Sequence, residues 1–125
     1  MGELESIGDA CYNLARTINR QRELDKHFAE WQSSHLKVLM NHCDDALTQM
    51  NIVMTGHRNE HDIRDTYRIE NEINQMCQQM KNANIRAING HEYDYAVGTI
   101  FTDLINECEK LGDYVVNVVQ ARFGK

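Results

Sequence analysis

The chain has 125 residues, a formal net charge of −6 and no proline. That length makes one domain with enough material to bury a core unaided, and the missing proline favours helices, whose interiors exclude it. The negative balance argues against a nucleic-acid backbone or an anionic bilayer as main partner, no window approaches the roughly 20 apolar residues needed to cross a membrane, and no secretory leader opens at Met1.

Hydrophobic spacing predicts four helices. The first runs from Glu3 to Arg22 on Leu4, Ile7, Cys11, Leu14 and Ile18, spaced alternately three and four. The second runs from Leu24 to Met54, with Phe28, Trp31, Leu36, Leu39, Ala46, Leu47 and Met50 as core candidates. No strong breaker stands between Gln21 and Asp25, so these two helices could also run on as one. Gly56 predicts a left-handed stop to the second helix. The third runs from Glu60 to Asn89 through Ile63, Tyr67, Ile73, Met76, Met80 and Ile88, with Gly90 expected to end it the same way. The fourth runs from Asp94 to Arg122, where Val97, Phe101, Leu104, Cys108, Leu111, Val115 and Val118 keep a heptad seam. Short connections make successive helices antiparallel, so the expected fold is an all-α, up-down-up-down bundle in a single domain. Cys11, Cys43, Cys77 and Cys108 form no C-x-x-C, and they read as reduced, buried thiols.

Within this pattern one phrase occurs twice. Glu3-Leu4-Glu5-Ser6-Ile7-Gly8-Asp9, followed by Asn13, is matched by Glu107-Cys108-Glu109-Lys110-Leu111-Gly112-Asp113, followed by Asn117. In each copy two acids and an amide stand four residues apart, which stacks them on one side of a helix. With Leu4 and Ile7 facing the core, Glu5 and Asp9 fall on the outer face, and Glu109 and Asp113 fall in the same register. A mid-helix glycine costs about 1 kcal/mol relative to alanine, so Gly8 and Gly112 suggest places that something must approach closely. Carboxylates with amide carbonyls suit hard cations such as Mg²⁺, Ca²⁺, Mn²⁺ or iron. Glu5, Asp9, Glu109 and Asp113 are therefore the candidate metal ligands. Glu70, Glu72 and Asn74 mark a polar face of the third helix that could add to such a surface.

Other chemistries find less support. His57 and His61 stand four apart, but Gly56 disturbs the helix there and no H-E-x-x-H exists. His35 and His42 read as packing or surface residues. A di-iron bundle enzyme needs inward Glu-x-x-His pairs, which are absent, and neither a phosphate-binding loop nor a nucleophile elbow occurs. Arg16, Arg20 and Arg22 give the first helix a basic end.

Glu5-Ser-Ile-Gly-Asp9 and Glu109-Lys-Leu-Gly-Asp113 resemble the E(D)-x-x-x-D signature of PhoU-like domains. The stretches Ile69–Gln75, Asn84–Gly90 and Phe101–Asn117 are similar to the end of the cytoplasmic PhoU-like region that follows the membrane part of bacterial sodium/phosphate cotransporters. The resemblance spans about residues 3–123 and implies a non-enzymatic regulatory domain in phosphate uptake, on the cytoplasmic side of the inner membrane. It implies a membrane transporter domain of the same parent chain as partner, with homodimerisation as a further expectation, and a divalent metal or iron on the E(D)-x-x-x-D surface. It also implies that the first helix closes one three-helix unit while helices two to four form a second. A metal-free interaction module is the alternative on the same fold.

Overall fold

Apolar residues spaced three and four apart wind this chain into four α-helices in a computed structural model that describes residues 2–24, 27–56 and 60–123. The helices are α1 (Glu3–Glu23), α2 (Glu30–Thr55), α3 (Glu60–Asn89) and α4 (Tyr95–Arg122), and the described residues contain no strand. The protein is an all-α four-helix bundle. None of its described helices is long and apolar enough to cross a membrane.

Contacts across the seams give the directions. Arg20 meets Asp103 between α1 and α4, His42 meets Glu72 between α2 and α3, and Lys81 meets Glu109 between α3 and α4. Each of these pairs is antiparallel. Trp31 beside Phe101 sets α2 parallel to α4. Among the described residues, helix α4 lies against all three others, whereas α1 lies against α4 alone. The core of the α2–α3–α4 unit is Leu39, Ile73, Met80, Phe101, Leu104, Ile105 and Leu111, all essentially without exposure. Phe28 and Trp31 close its end edge-on to the Phe101 ring, at centroid distances of 5.8 and 5.5 Å.

Having one neighbour decides which α1 residues are covered. Ile7, Ala10, Leu14 and Thr17 form the stripe buried against α4. Leu4 and Cys11, expected in the core, lie to one side of that stripe and are exposed, Leu4 by 60%. Tyr67, expected on the α3 core stripe, is 39% exposed, with its hydroxyl accepting from Gln120 at 2.8 Å. The other three cysteines are buried as expected.

The helix ends also correct the sequence reading. Helices α1 and α2 are separate, and α2 begins at Glu30 rather than at Leu24. The buried Gln32 sets that start, because its Oε1 accepts the Ala29 N–H at 2.8 Å and satisfies a first-turn donor. Gly56 ends α2 with φ −102° and ψ −175°, an extended and not a left-handed residue. At the end of α3 the left-handed residue is His91, with φ 58°, and not Gly90. The His91 N–H donates to Ile88 O at 3.1 Å and the Glu92 N–H to Ala87 O at 3.0 Å, the paired bonds of a Schellman stop.

Just beyond that stop, a buried polar knot fixes the α3–α4 register. Asn84 Nδ2 donates to Gly98 O at 3.1 Å and to Thr102 Oγ1 at 2.9 Å, while its Oδ1 accepts the Tyr93 hydroxyl at 2.5 Å. A Cβ on Gly98 would stand 2.4 Å from Ile88 Cδ1. Any side chain at that position would have to displace Ile88.

Candidate functional site

The register set by Asn84 and Gly98 carries down the seam and brings acids of α3 against acids of α4. Along α3, Glu70, Asn74 and Lys81 share a stripe, with Cys77 turned inward between them. Along α4, Glu109 and Asp113 are one turn apart. Antiparallel packing sets Glu70 beside Asp113, which is exposed as expected. Asn74 Nδ2 donates to Glu70 Oε1 at 3.2 Å. Partial burial is the main cause that raises the Glu70 carboxyl above its ordinary value, and the Asp113 charge adds to it against the Asn74 hydrogen bond. Neither Glu70 nor Asp113 has a basic partner among the described residues.

Glu109 is placed differently. It is half-buried and paired with Lys81 of α3. This corrects the expectation of a solvent-facing acid, and the cause is that α3 covers this side of α4. The Cys77 thiol beneath is pushed up to about 12, by burial first and then by the Glu109 charge.

On α1, Glu5 and Asp9 are both exposed. Asp9 lines a groove with Glu107, Lys110 and Tyr114 of α4. Among the described residues no three His, Cys, Asp or Glu side chains gather into a metal-ligating group. Asp113 joins Glu70 and Asn74 instead. That set offers two carboxylates and one amide, oxygen donors matched to a single hard cation that water or a partner would complete.

The paired glycines do not share a role. Nothing lies within 4 Å of a Cβ built on Gly8, and one on Gly112 would make ordinary contact with Ile73 Cδ1 at 3.5 Å. The close approach expected at both is therefore absent, and the glycine that permits contact is Gly98. Sequence reasoning left Glu70 outside the ligand set, although Glu70 and Asn74 repeat the acid–amide spacing of four. Glu72, on the same polar face, is taken up by Arg68 at 2.8 Å and by His42 at 3.6 Å. His57 lies outside the described residues, while His61 approaches Asp65 at 3.3 Å. His35 Nδ1 lies 2.7 Å from Trp31 O.

Comparison with known proteins finds no match among family models, curated proteins or solved structures.

Proposed function

We propose that this chain is a PhoU-like, non-enzymatic regulatory domain of a sodium-dependent phosphate transporter, and that the Glu70–Asn74–Asp113 seam is where it takes up a hard divalent cation or iron. The observation that carries the cation reading is the like-charged pair. A partly buried carboxyl and an exposed one lie side by side, and a cation between them would remove the repulsion. Because Glu109 pairs with Lys81, the reading places a single ion at Glu70 and Asp113 and not a cluster on all four repeat acids. Support for the family reading comes from the doubled E-x-x-x-D phrase and from a three-helix unit, α2–α4, with α1 set outside it.

The parent protein in its membrane tests this reading. Glu70→Gln with Asp113→Asn should lower the metal content of the purified protein and alter phosphate-dependent control of uptake. Unchanged metal content together with unchanged control would remove the reading.

One observation favours a metal-free docking module as the second reading. Leu4, Cys11 and Tyr12 form an exposed flank on α1, with Tyr12 66% exposed. On that reading the untagged protein elutes without metal and control is lost on substituting Leu4 and Tyr12.

A further inference from the structure

Helix α1 has two apolar faces. One, the stripe of Ile7, Ala10, Leu14 and Thr17, is buried on α4. The other lies about 100° round the helix and carries Leu4, Gly8, Cys11, Ala15 and Ile18, at spacings of four and three. That spacing makes a second packing seam, and it stands open. Leu4, Gly8, Cys11 and Ala15 are exposed, and only Ile18 is half-buried. At the Leu4 end the seam borders a hollow of about 410 Å³ between α1, α2 and α4, lined also by Met54 and Val118. A continuous exposed apolar face of this kind marks a contact surface.

The order of residues along the seam selects what covers it. From either end it reads large, small, cysteine, small, large. Two copies laid antiparallel therefore match. Leu4 stands against Ile18 of the second copy, Gly8 against its Ala15, and the two Cys11 residues meet at the axis. A two-fold contact requires such self-complementarity, and the small layers let the two backbones approach. Charge follows the same symmetry. The outer edge of the seam carries Glu5, Tyr12 and Arg16, all exposed. Arg16 leans over the Tyr12 ring at 5.8 Å. Among the described residues Glu5 has no basic partner and Arg16 no carboxylate. Glu5 precedes Cys11 by six residues and Arg16 follows it by five. Antiparallel pairing thus brings Glu5 of each copy towards Arg16 of the other, whereas a parallel pair would set like charges together.

We propose that the open seam of α1 pairs antiparallel with α1 of a second copy, about a two-fold axis at Cys11. The inference rests on the docking reading of this flank and names its occupant. The contact runs along one helix of about 30 Å and belongs to the small interfaces below about 1,200 Å². Association is therefore weak, with a Kd of about 100 µM, and the dilute chain is a monomer with Cys11 open.

Sedimentation equilibrium of the reduced whole chain tests this, from about 10 µM to about 1 mM. The mass should rise from monomer towards dimer across that range. Cross-linking with diamide reads the register, since two adjacent thiols pass their hydrogens to the reagent and join as a disulfide. The control is Cys11→Ala with Asn19→Cys, at an exposed position. Its thiols would lie about 24 Å apart in the antiparallel pair, so the Cys11 thiols should join about tenfold faster or more. Ala15→Arg, at a residue exposed in the monomer, should raise Kd about tenfold or more with helicity unchanged. A chain still monomeric at about 1 mM, Asn19→Cys thiols that join as fast as Cys11, or undiminished association of Ala15→Arg would each overturn the proposal. If the chain is monomeric while the parent protein still loses control on substituting Leu4 and Tyr12, the docking reading stands with another partner, and the second copy is excluded. If Ala15→Arg fails to fold, the wild-type mass and the two cross-linking rates still decide.

Discussion

Glu70 of α3, partly buried, lies beside the exposed Asp113 of α4, and Asn74 is the neighbour that hydrogen-bonds Glu70. This contact has a pH signature. Burial and the Asp113 charge raise the Glu70 carboxyl above its ordinary value of 4.5. The native state then holds that proton longer than the unfolded chain does. As pH rises from 4.5 through the raised native value, the unfolded state binds fewer protons, so stability falls, and the loss persists at neutral pH. Glu70→Gln should flatten this fall and raise the neutral-pH Tm, as read by circular dichroism melts across that range. A steeper fall in the variant would contradict the contact.

The glycines give opposite predictions. Gly8 sits in open space on a helix, so Gly8→Ala should stabilise the fold by about 1 kcal/mol in denaturant titrations. Gly98→Ala would drive a methyl into Ile88 and should cost about 1–3 kcal/mol. Equal effects at the two positions would mean that the α3–α4 approach is looser than described.

The cysteines divide by burial. Cys43, Cys77 and Cys108 are enclosed by the α2–α3–α4 unit, and Cys11 is exposed on α1. Cys108 lies beside Cys43, and that neighbour together with burial holds the Cys108 thiol far above the usual range. A maleimide added to native protein should label one thiol of four rapidly, with the other three reacting only on unfolding. Mass spectrometry of the labelled peptides should place the fast site at Cys11.

His91 takes the left-handed position that closes α3, at a cost glycine would not incur. His91→Gly should therefore raise stability, by about 1 kcal/mol or somewhat less once the entropy of the unfolded chain is counted. A loss of stability would show that the His91 side chain holds the turn by contacts of its own.

Much of the fold was legible because its signals are local. The α3 boundaries follow from Ile63, Ile73 and Met80 repeating at helical spacing, and the heptad seam of α4 is the seam that packs. Partner-dependent features were not legible. Leu4 carries the correct period but lines an open hollow with Met54 and Val118 and stays exposed, and period reports a stripe without reporting how closely it is covered. Gln32 starts α2 by reaching back to Ala29, a long-side-chain cap that leaves no breaker in the sequence. The site was half legible. Asp113 stood out through its repeat, whereas Glu70 lies 43 positions away along the chain and meets it only through the Gly98-dependent register. Glu109 looked equivalent to Glu5, and only the approach of Lys81 separates them.

Titration calorimetry with Mn²⁺ on metal-free protein tests the central claim most directly. The wild type should take up one ion per chain, Glu5→Gln with Asp9→Asn should leave that uptake intact, and Glu70→Gln with Asp113→Asn should abolish it. Wild-type protein that takes up no Mn²⁺, or a Glu70/Asp113 variant that binds as well as the wild type, would contradict the α3–α4 seam as the cation site.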